Sequence, residues 1–161
     1  HPLDNTRHLA AHPRTGEPYL LPPHDIKRLV LCTGQVYYSL SKLRRAKKVD
    51  SIVLARLEQI APFPHDRLTE AIRQYPNADV VWCQEEPKNM GCWNYVAPRL
   101  NSALRAMALQ DGTPSEHARR VQYVGRPPAA AVATASFELH QRQTRHFLNI
   151  ALDLDPDRNT S

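Results

Sequence analysis

Glycine is scarce in this chain, five residues in 161, while proline supplies fourteen. The five glycines form neither a GxGxxG fingerprint nor a Walker loop, which excludes the glycine-rich phosphate cradles built on those motifs. Cysteine is sparse as well. Cys32, Cys83 and Cys92 make no even framework and no CxxC pair, so a disulfide scaffold and a zinc site are both unexpected, and a reducing compartment fits the count. No apolar run reaches the length of a membrane span, and no signal-peptide pattern opens the chain. HExxH and GxSxG are absent, and the eight histidines are scattered, so nothing here assembles a zinc peptidase or a hydrolase nucleophile elbow.

What is present suits a single folded domain. At 161 residues, with 42% hydrophobic and 23% charged content, the chain can bury a real core. Its formal charge is +5, yet the basic residues are dispersed and no aromatics are interleaved with them, so a nucleic-acid platform is not expected. The one dense basic cluster, Arg44-Arg45-Ala46-Lys47-Lys48, falls at a predicted helix end. There, cations complement the helix dipole and a solvated helix end is expected. The chain opens on His1 rather than methionine, which suggests a piece or processed product of a longer protein.

Residues 1–24 are polar and proline-punctuated, and read as an extended arm with one apolar anchor, Tyr19-Leu20-Leu21. Residues 25–161 then alternate strand and helix patterns. Strands are predicted over about 27–32, 51–56, 79–83 and 121–124. Helices are predicted over 36–47, through Leu68, Ile72 and Tyr75, over 92–107, and over 136–152. The third contains Pro98, which should kink or split it. The last offers Leu139, Phe147, Leu148 and Leu152 for an apolar face. Such alternation implies an α/β fold, with a mainly parallel sheet covered by helices on both faces.

Apolar strands that break into polar residues mark where a ligand lodges in such sheets, outside the carboxyl ends of the strands. Four predicted ends carry Thr33-Gly34-Gln35, Arg56 with Glu58, Gln84-Glu85-Glu86, and Gly125-Arg126. Thr33-Gly34 could present backbone N–H groups to an anion, or Thr33 could simply cap the helix while Gly34 permits the turn. The adjacent Glu85 and Glu86 need cations or N–H donors if buried. Arg56 and Arg126 are the candidate partners, and a pairing of Arg56 with Glu85 or Glu86 is expected. Neighbouring side chains on an extended segment point oppositely, so the two carboxylates do not form an acid–base pair. His140 is expected to pack or cap, and Trp82 and Trp93 to anchor the core or an interface. No catalytic residue, cofactor-binding residue or metal ligand is predicted.

Four blocks together resemble a known family: Leu31-Cys32-Thr33-Gly34-Gln35-Val36-Tyr37-Tyr38, Arg56-Leu57-Glu58-Gln59-Ile60-Ala61-Pro62-Phe63-Pro64, Trp82-Cys83-Gln84-Glu85-Glu86-Pro87-Lys88-Asn89-Met90-Gly91, and Tyr123-Val124-Gly125-Arg126-Pro127. They resemble the C-terminal domain of the thiamine-diphosphate-dependent 2-oxoglutarate dehydrogenases, over about residues 26–152, while the arm at residues 1–24 matches no family. Asn89-Met90-Gly91 and Gly125-Arg126-Pro127-Pro128 lean toward the related 2-oxoadipate dehydrogenases.

The resemblance implies a transketolase C-terminal-like domain. It also implies that thiamine diphosphate and Mg2+ are bound outside this segment, because the family's Gly-Asp-Gly motif is absent here. The implied parent decarboxylates a 2-oxo acid and acylates a lipoyl group. Its implied partners are the rest of its own chain, a second copy in a homodimer, the lipoyl acyltransferase core and dihydrolipoyl dehydrogenase. The implied setting is the mitochondrial matrix in a eukaryote or the cytoplasm in a bacterium. A regulatory nucleotide or acyl-coenzyme A site would fall near Thr33, Arg56, Gln84 and Glu85. The alternative is a free-standing anion- or nucleotide-binding α/β module without catalysis.

Overall fold

The computed structural model describes residues 20–130 and 137–154. Four strands, β1 (Arg28–Cys32), β2 (Ile52–Arg56), β3 (Asp79–Pro87) and β4 (Gln122–Arg126), alternate with four helices. The helices are α1 (Val36–Ala46), α2 (His65–Arg73), α3 (Trp93–Gln110) and α4 (Phe137–Ala151), and short 3-10 turns lie at Pro23–Asp25 and Ser115–His117. The strands form one sheet in the order β2-β1-β3-β4, and every pairing is parallel. The α/β expectation holds, and the strands fall within a few residues of their predicted places.

The order dictates the layers. The β1 to β2 step runs one way across the sheet, and the next two steps run the other. Crossovers of one hand therefore place α1 on one face and α2 and α3 on the opposite face. Two buried clusters confirm it. Leu29, Leu31, Val53, Val80 and Trp82 pack with Leu68, Ile72, Leu100 and Leu104 from α2 and α3. Val30, Cys32, Ile52, Leu54, Val81 and Cys83 pack with Val36 and Leu40 of α1 and Phe147 and Leu148 of α4. Both faces of β1 and β2 are covered, which is why their sequences are continuous apolar runs rather than alternating ones.

Several local expectations need correction. Of the two outcomes expected at Pro98, the split does not occur: α3 runs unbroken over 18 residues. The proline removes one donor, to the Asn94 carbonyl, and Asn94 is exposed so water can take its place. Arg44 is not part of a solvated helix end: it is buried, and its Nη1 donates to the Ile52 carbonyl at 3.3 Å. Leu139 and His140 are exposed, because the first turns of α4 find no core and burial begins at Phe147. Of the arm, residues up to Tyr19 lie outside the described residues. Leu20 and Leu21 pack against the α2/α3 side of the core, and the Leu21 N–H donates to the Asp50 carbonyl at 2.9 Å.

Two arginines, Arg28 buried and Arg119 half-buried, tie ends together. Arg28, at the start of β1, donates through Nη1 to the carbonyls of Ile150 (2.8 Å) and Ala151 (3.3 Å) and pairs with Asp153 at 3.3 Å. It thereby closes the carboxyl end of α4, where the helix dipole favours a cation. Arg119 serves the segment after α2 likewise, donating to the Ala78 carbonyl at 2.7 Å.

Candidate functional site

In this strand order the direction of winding reverses between β1 and β3, and the crevice at such a switch point is where open α/β sheets hold ligands. At that edge stand Thr33, just after β1, Arg56 at the end of β2, and Gln84 and Glu85 in the last part of β3.

After β1, Thr33 is half-buried and Gly34 adopts φ +70°, with open space where a Cβ would stand. Conformation, not crowding, calls for glycine there. Thr33 does not cap α1. The capping position belongs to Gln35, which makes no side-chain cap bond.

At the end of β2, Arg56 stands at the edge of the sheet with its side chain 28% exposed. Its Nε pairs with Glu58 at 3.1 Å, and its Nη1 donates to the Tyr38 hydroxyl at 3.2 Å. The guanidinium lies 4.9 Å from the Tyr37 ring centroid and 5.8 Å from that of Tyr38. The Tyr38 hydrogen bond, partly offset by desolvation and helped by Glu58, raises its pKa further. The expected pairing with Glu85 or Glu86 is not made. β1 lies between β2 and β3, so Arg56 and the acidic loop are two strand spacings, roughly 10 Å, apart.

Near the end of β3, the acidic pair leaves the ladder. Gln84 is in register with Gly125 and Pro87 with Arg126, so β3 spends two extra residues while β4 advances one step. Glu85 and Glu86 are exposed, and among the described residues no ion pair engages either. Solvent answers the charge that the sequence suggested cations would meet. The two side chains diverge as expected. Glu85 acts on the Cys83 thiol, on the α1/α4 face. Glu86 folds over Gly91 and acts on Cys92 at the amino end of α3, where the helix dipole favours an anion.

Gln84 faces away from Arg56. It is 1% exposed, and its amide is fully occupied. Oε1 accepts from Trp82 Nε1–H at 2.9 Å and from the Trp93 N–H at 3.0 Å. Nε2 donates to the carbonyls of Met90 (2.8 Å) and Pro87 (3.1 Å), with that of Glu86 at 3.3 Å. Gln84 thus has no group left for a ligand, and the four predicted side chains do not converge.

After β4, the Tyr123 hydroxyl donates toward the carbonyls of Arg126 (2.8 Å) and Glu86 (3.2 Å), and its ring packs on Trp93 with centroids 5.1 Å apart. Burial pushes the Tyr123 pKa up to about 12. Arg126 is buried, and its Nε donates to Gln143 of α4 at 3.0 Å. It holds α4 to the sheet rather than meeting Glu85 or Glu86.

Sequence reasoning missed the Tyr37–Tyr38 flank of Arg56, although two adjacent tyrosines opening a helix beside the crevice were the available signal. It also missed a cleft of about 460 Å³ beside the same edge, lined by Leu57, Gln59, Phe63, His65 and Arg67. Among the described residues, no three His, Cys, Asp or Glu side chains cluster to hold a metal ion, and no helix is long and apolar enough to cross a membrane.

Comparison with known proteins adds the remaining observation. Residues 7–152 match a family model described as 2-oxoglutarate dehydrogenase C-terminal. The match begins inside the proline-rich arm, which corrects the expectation that residues 1–24 match nothing. The chain is 46% identical over 134 residues to a mitochondrial 2-oxoglutarate dehydrogenase-like protein of Xenopus laevis, covering 83% of this chain and 12% of that one. It is 42% identical over 130 residues to a mitochondrial 2-oxoglutarate dehydrogenase of Dictyostelium discoideum, covering 81% and 12%. The chain therefore spans about an eighth of the length of these relatives. Among solved structures it is similar to a split-gene transketolase in an inactive β4 tetramer, with TM-score 0.45 and 17% identity, covering 84% of this chain and 43% of that one.

Proposed function

The chain belongs to the 2-oxoglutarate dehydrogenase C-terminal family, and from that membership we propose that it is the C-terminal domain of a 2-oxoglutarate dehydrogenase first component. The observation that carries this reading is the family match over residues 7–152, together with 40–46% identity to relatives of whose length it covers 12%. The parent enzyme oxidatively decarboxylates 2-oxoglutarate and succinylates the lipoyl group of the acyltransferase core, which dihydrolipoyl dehydrogenase then reoxidises. Substrate choice between 2-oxoglutarate and 2-oxoadipate lies with the rest of the parent chain. In a eukaryote the setting is the mitochondrial matrix, in keeping with the names of the relatives.

Thiamine diphosphate with Mg2+ supplies the decarboxylation chemistry in such a parent. The described residues offer no donor cluster that suits the metal, so no step is assigned to side chains of this chain. The domain's own contributions are contacts in a homodimer and a regulatory site. The proposed site runs along the carboxyl edge from Thr33 and Arg56 to Glu85, roughly 10 Å on, a span for a nucleotide or acyl-coenzyme A rather than for a single anion. The half-buried guanidinium of Arg56, held by Glu58 and Tyr38, suits a phosphate on its remaining N–H groups, because its fork matches oxyanion geometry.

The parent reading is tested on native material. The intact polypeptide bearing this sequence should be several times heavier than 18.3 kDa, and it should release carbon dioxide from 2-oxoglutarate with added thiamine diphosphate and Mg2+, whereas isolated residues 1–161 should not. Cofactor-dependent release by the isolated chain overturns the assignment. For the regulatory site, Arg56→Ala in the full-length enzyme should weaken binding of AMP or acetyl-coenzyme A by about 1.5–3 kcal/mol; unchanged affinity removes it.

A further inference from the structure

We infer that Gln84 is the positioning residue of the carboxyl edge, fixing the outward bulge that presents Glu85 without itself touching a ligand. The inference rests on the proposed regulatory site and assigns the buried amide at its base a role.

The geometry separates the two halves of the Gln84 carboxamide. Its oxygen belongs to the framework: Trp82 of the same strand and the first N–H of α3 both donate to it. That N–H is one of the donors a helix leaves without an internal partner. The residue at the α3 cap, Cys92, makes no side-chain cap bond, so Gln84 supplies the acceptor from a neighbouring strand. Its nitrogen belongs to the loop, where it gathers the carbonyls of Pro87 and Met90 at 3.1 and 2.8 Å. These two carbonyls flank the turn that returns the chain from the bulge to α3.

Two further contacts brace the bulge from the β4 side. The Tyr123 hydroxyl reaches the Glu86 carbonyl, and Asn89 exchanges bonds with Ala129 at 2.9 and 3.0 Å. The bulge itself displaces Glu85 and Glu86 from the ladder. Fixing its return path therefore fixes where Glu85 stands relative to Arg56.

The discriminating variant is Gln84→Glu in the full-length enzyme. A carboxylate keeps the oxygen for Trp82 and Trp93 but turns an acceptor toward the Pro87 and Met90 carbonyls, so the framework stays and the loop is released. A second variant, Gly91→Ala, presses on the same contact from the exposed side. Its Cβ would stand 3.0 Å from both Gln84 Nε2 and Glu86 Cβ, at a φ of +63°. AMP and acetyl-coenzyme A are the probes, with Arg56→Ala run alongside.

We expect at least tenfold weaker binding for Gln84→Glu and Gly91→Ala, faster tryptic cleavage after Lys88, and unchanged near-ultraviolet dichroism from the tryptophans. Binding to Gln84→Glu should recover toward wild type as pH falls to about 5.5. Burial raises a carboxyl pKa, and the protonated form donates to the loop again; mere structural damage would not recover. If Arg56→Ala weakens binding while both other variants bind as wild type, the role of Gln84 falls and the site stands. If Arg56→Ala leaves binding unchanged, the site falls and the inference with it. Weakened binding of Gln84→Glu without recovery at low pH assigns Gln84 a structural role and overturns the positioning one.

Discussion

The indole Nε1–H of Trp82 donates to Gln84 Oε1 at 2.9 Å, two residues further along the same strand face. Trp82 is fully buried under α3, and a buried indole N–H without an acceptor would be costly. Gln84 supplies that acceptor and, through the same oxygen, holds the start of α3. The core and the carboxyl edge therefore meet in one amide.

Truncation at Trp82 should separate packing from the hydrogen bond. Trp82→Ala should lower stability by about 3–5 kcal/mol through the cavity it leaves. Trp82→Phe should cost only about 1–2 kcal/mol, because Gln84 Oε1 keeps its bond to the Trp93 N–H. Urea midpoints measure both. Equal losses would mean that ring volume contributes little here, contrary to the packing described.

Gly125 carries the opposite constraint. An added Cβ would stand 2.5 Å from the Tyr123 hydroxyl oxygen and 2.8 Å from the Gln84 carbonyl oxygen. The second neighbour is backbone of the adjacent strand and cannot step aside. Gly125→Ala should destabilise by about 2–3 kcal/mol, the scale of overpacking. Gly112→Ala meets no such wall, only strain from φ +73°, and should cost about 1 kcal/mol. A denaturation midpoint for Gly125→Ala above that of Gly112→Ala would contradict the close approach.

The layered fold was legible because strands buried on both faces read as unbroken apolar runs, as in Val80-Val81-Trp82-Cys83. Strand order was not. Alternation of strand and helix does not say that β1 separates β2 from β3, and that separation is why Arg56 meets Glu58 and Tyr38 rather than Glu85. The role of Gln84 was equally hidden, because most of its partners are backbone groups of a loop, which carry no side-chain signature. Leu139 misled for another reason. Periodicity marks a helical face but not how far the helix overhangs its core.

The cysteines should be unreactive in the folded chain. Cys32 and Cys83 are buried, and burial, with Cys32 and Glu85 nearby, pushes the Cys83 thiol far up. Cys92 is half-buried and also raised, by desolvation first and then by Glu86. Because the thiolate is the attacking species, Ellman's reagent at pH 8 should find no fast thiol and at most one slow one, with all three appearing in guanidinium. A rapid stoichiometric reaction of two thiols in the native chain would show that β1 and β3 open readily.

Tyr123 makes stability depend on pH at the alkaline end. Burial raises its folded pKa to about 12 from the usual 10.0. Burial raises Tyr75 as well. A phenol is neutral when protonated, so the folded state keeps a proton that the unfolded chain releases above pH 10. By linkage, this contribution is fully present below pH 10 and is lost as pH rises through 12. For Tyr123 it amounts to roughly 1–2 kcal/mol once its partial exposure is allowed for. Tyr123→Phe also loses the bond to the Arg126 carbonyl, so the variant starts less stable at pH 9 but falls less steeply. Urea midpoints at pH 9 and pH 11 should converge between wild type and Tyr123→Phe, since lysine titration is common to both. Parallel losses in the two proteins would mean that the Tyr123 hydroxyl ionises as freely in the fold as in water.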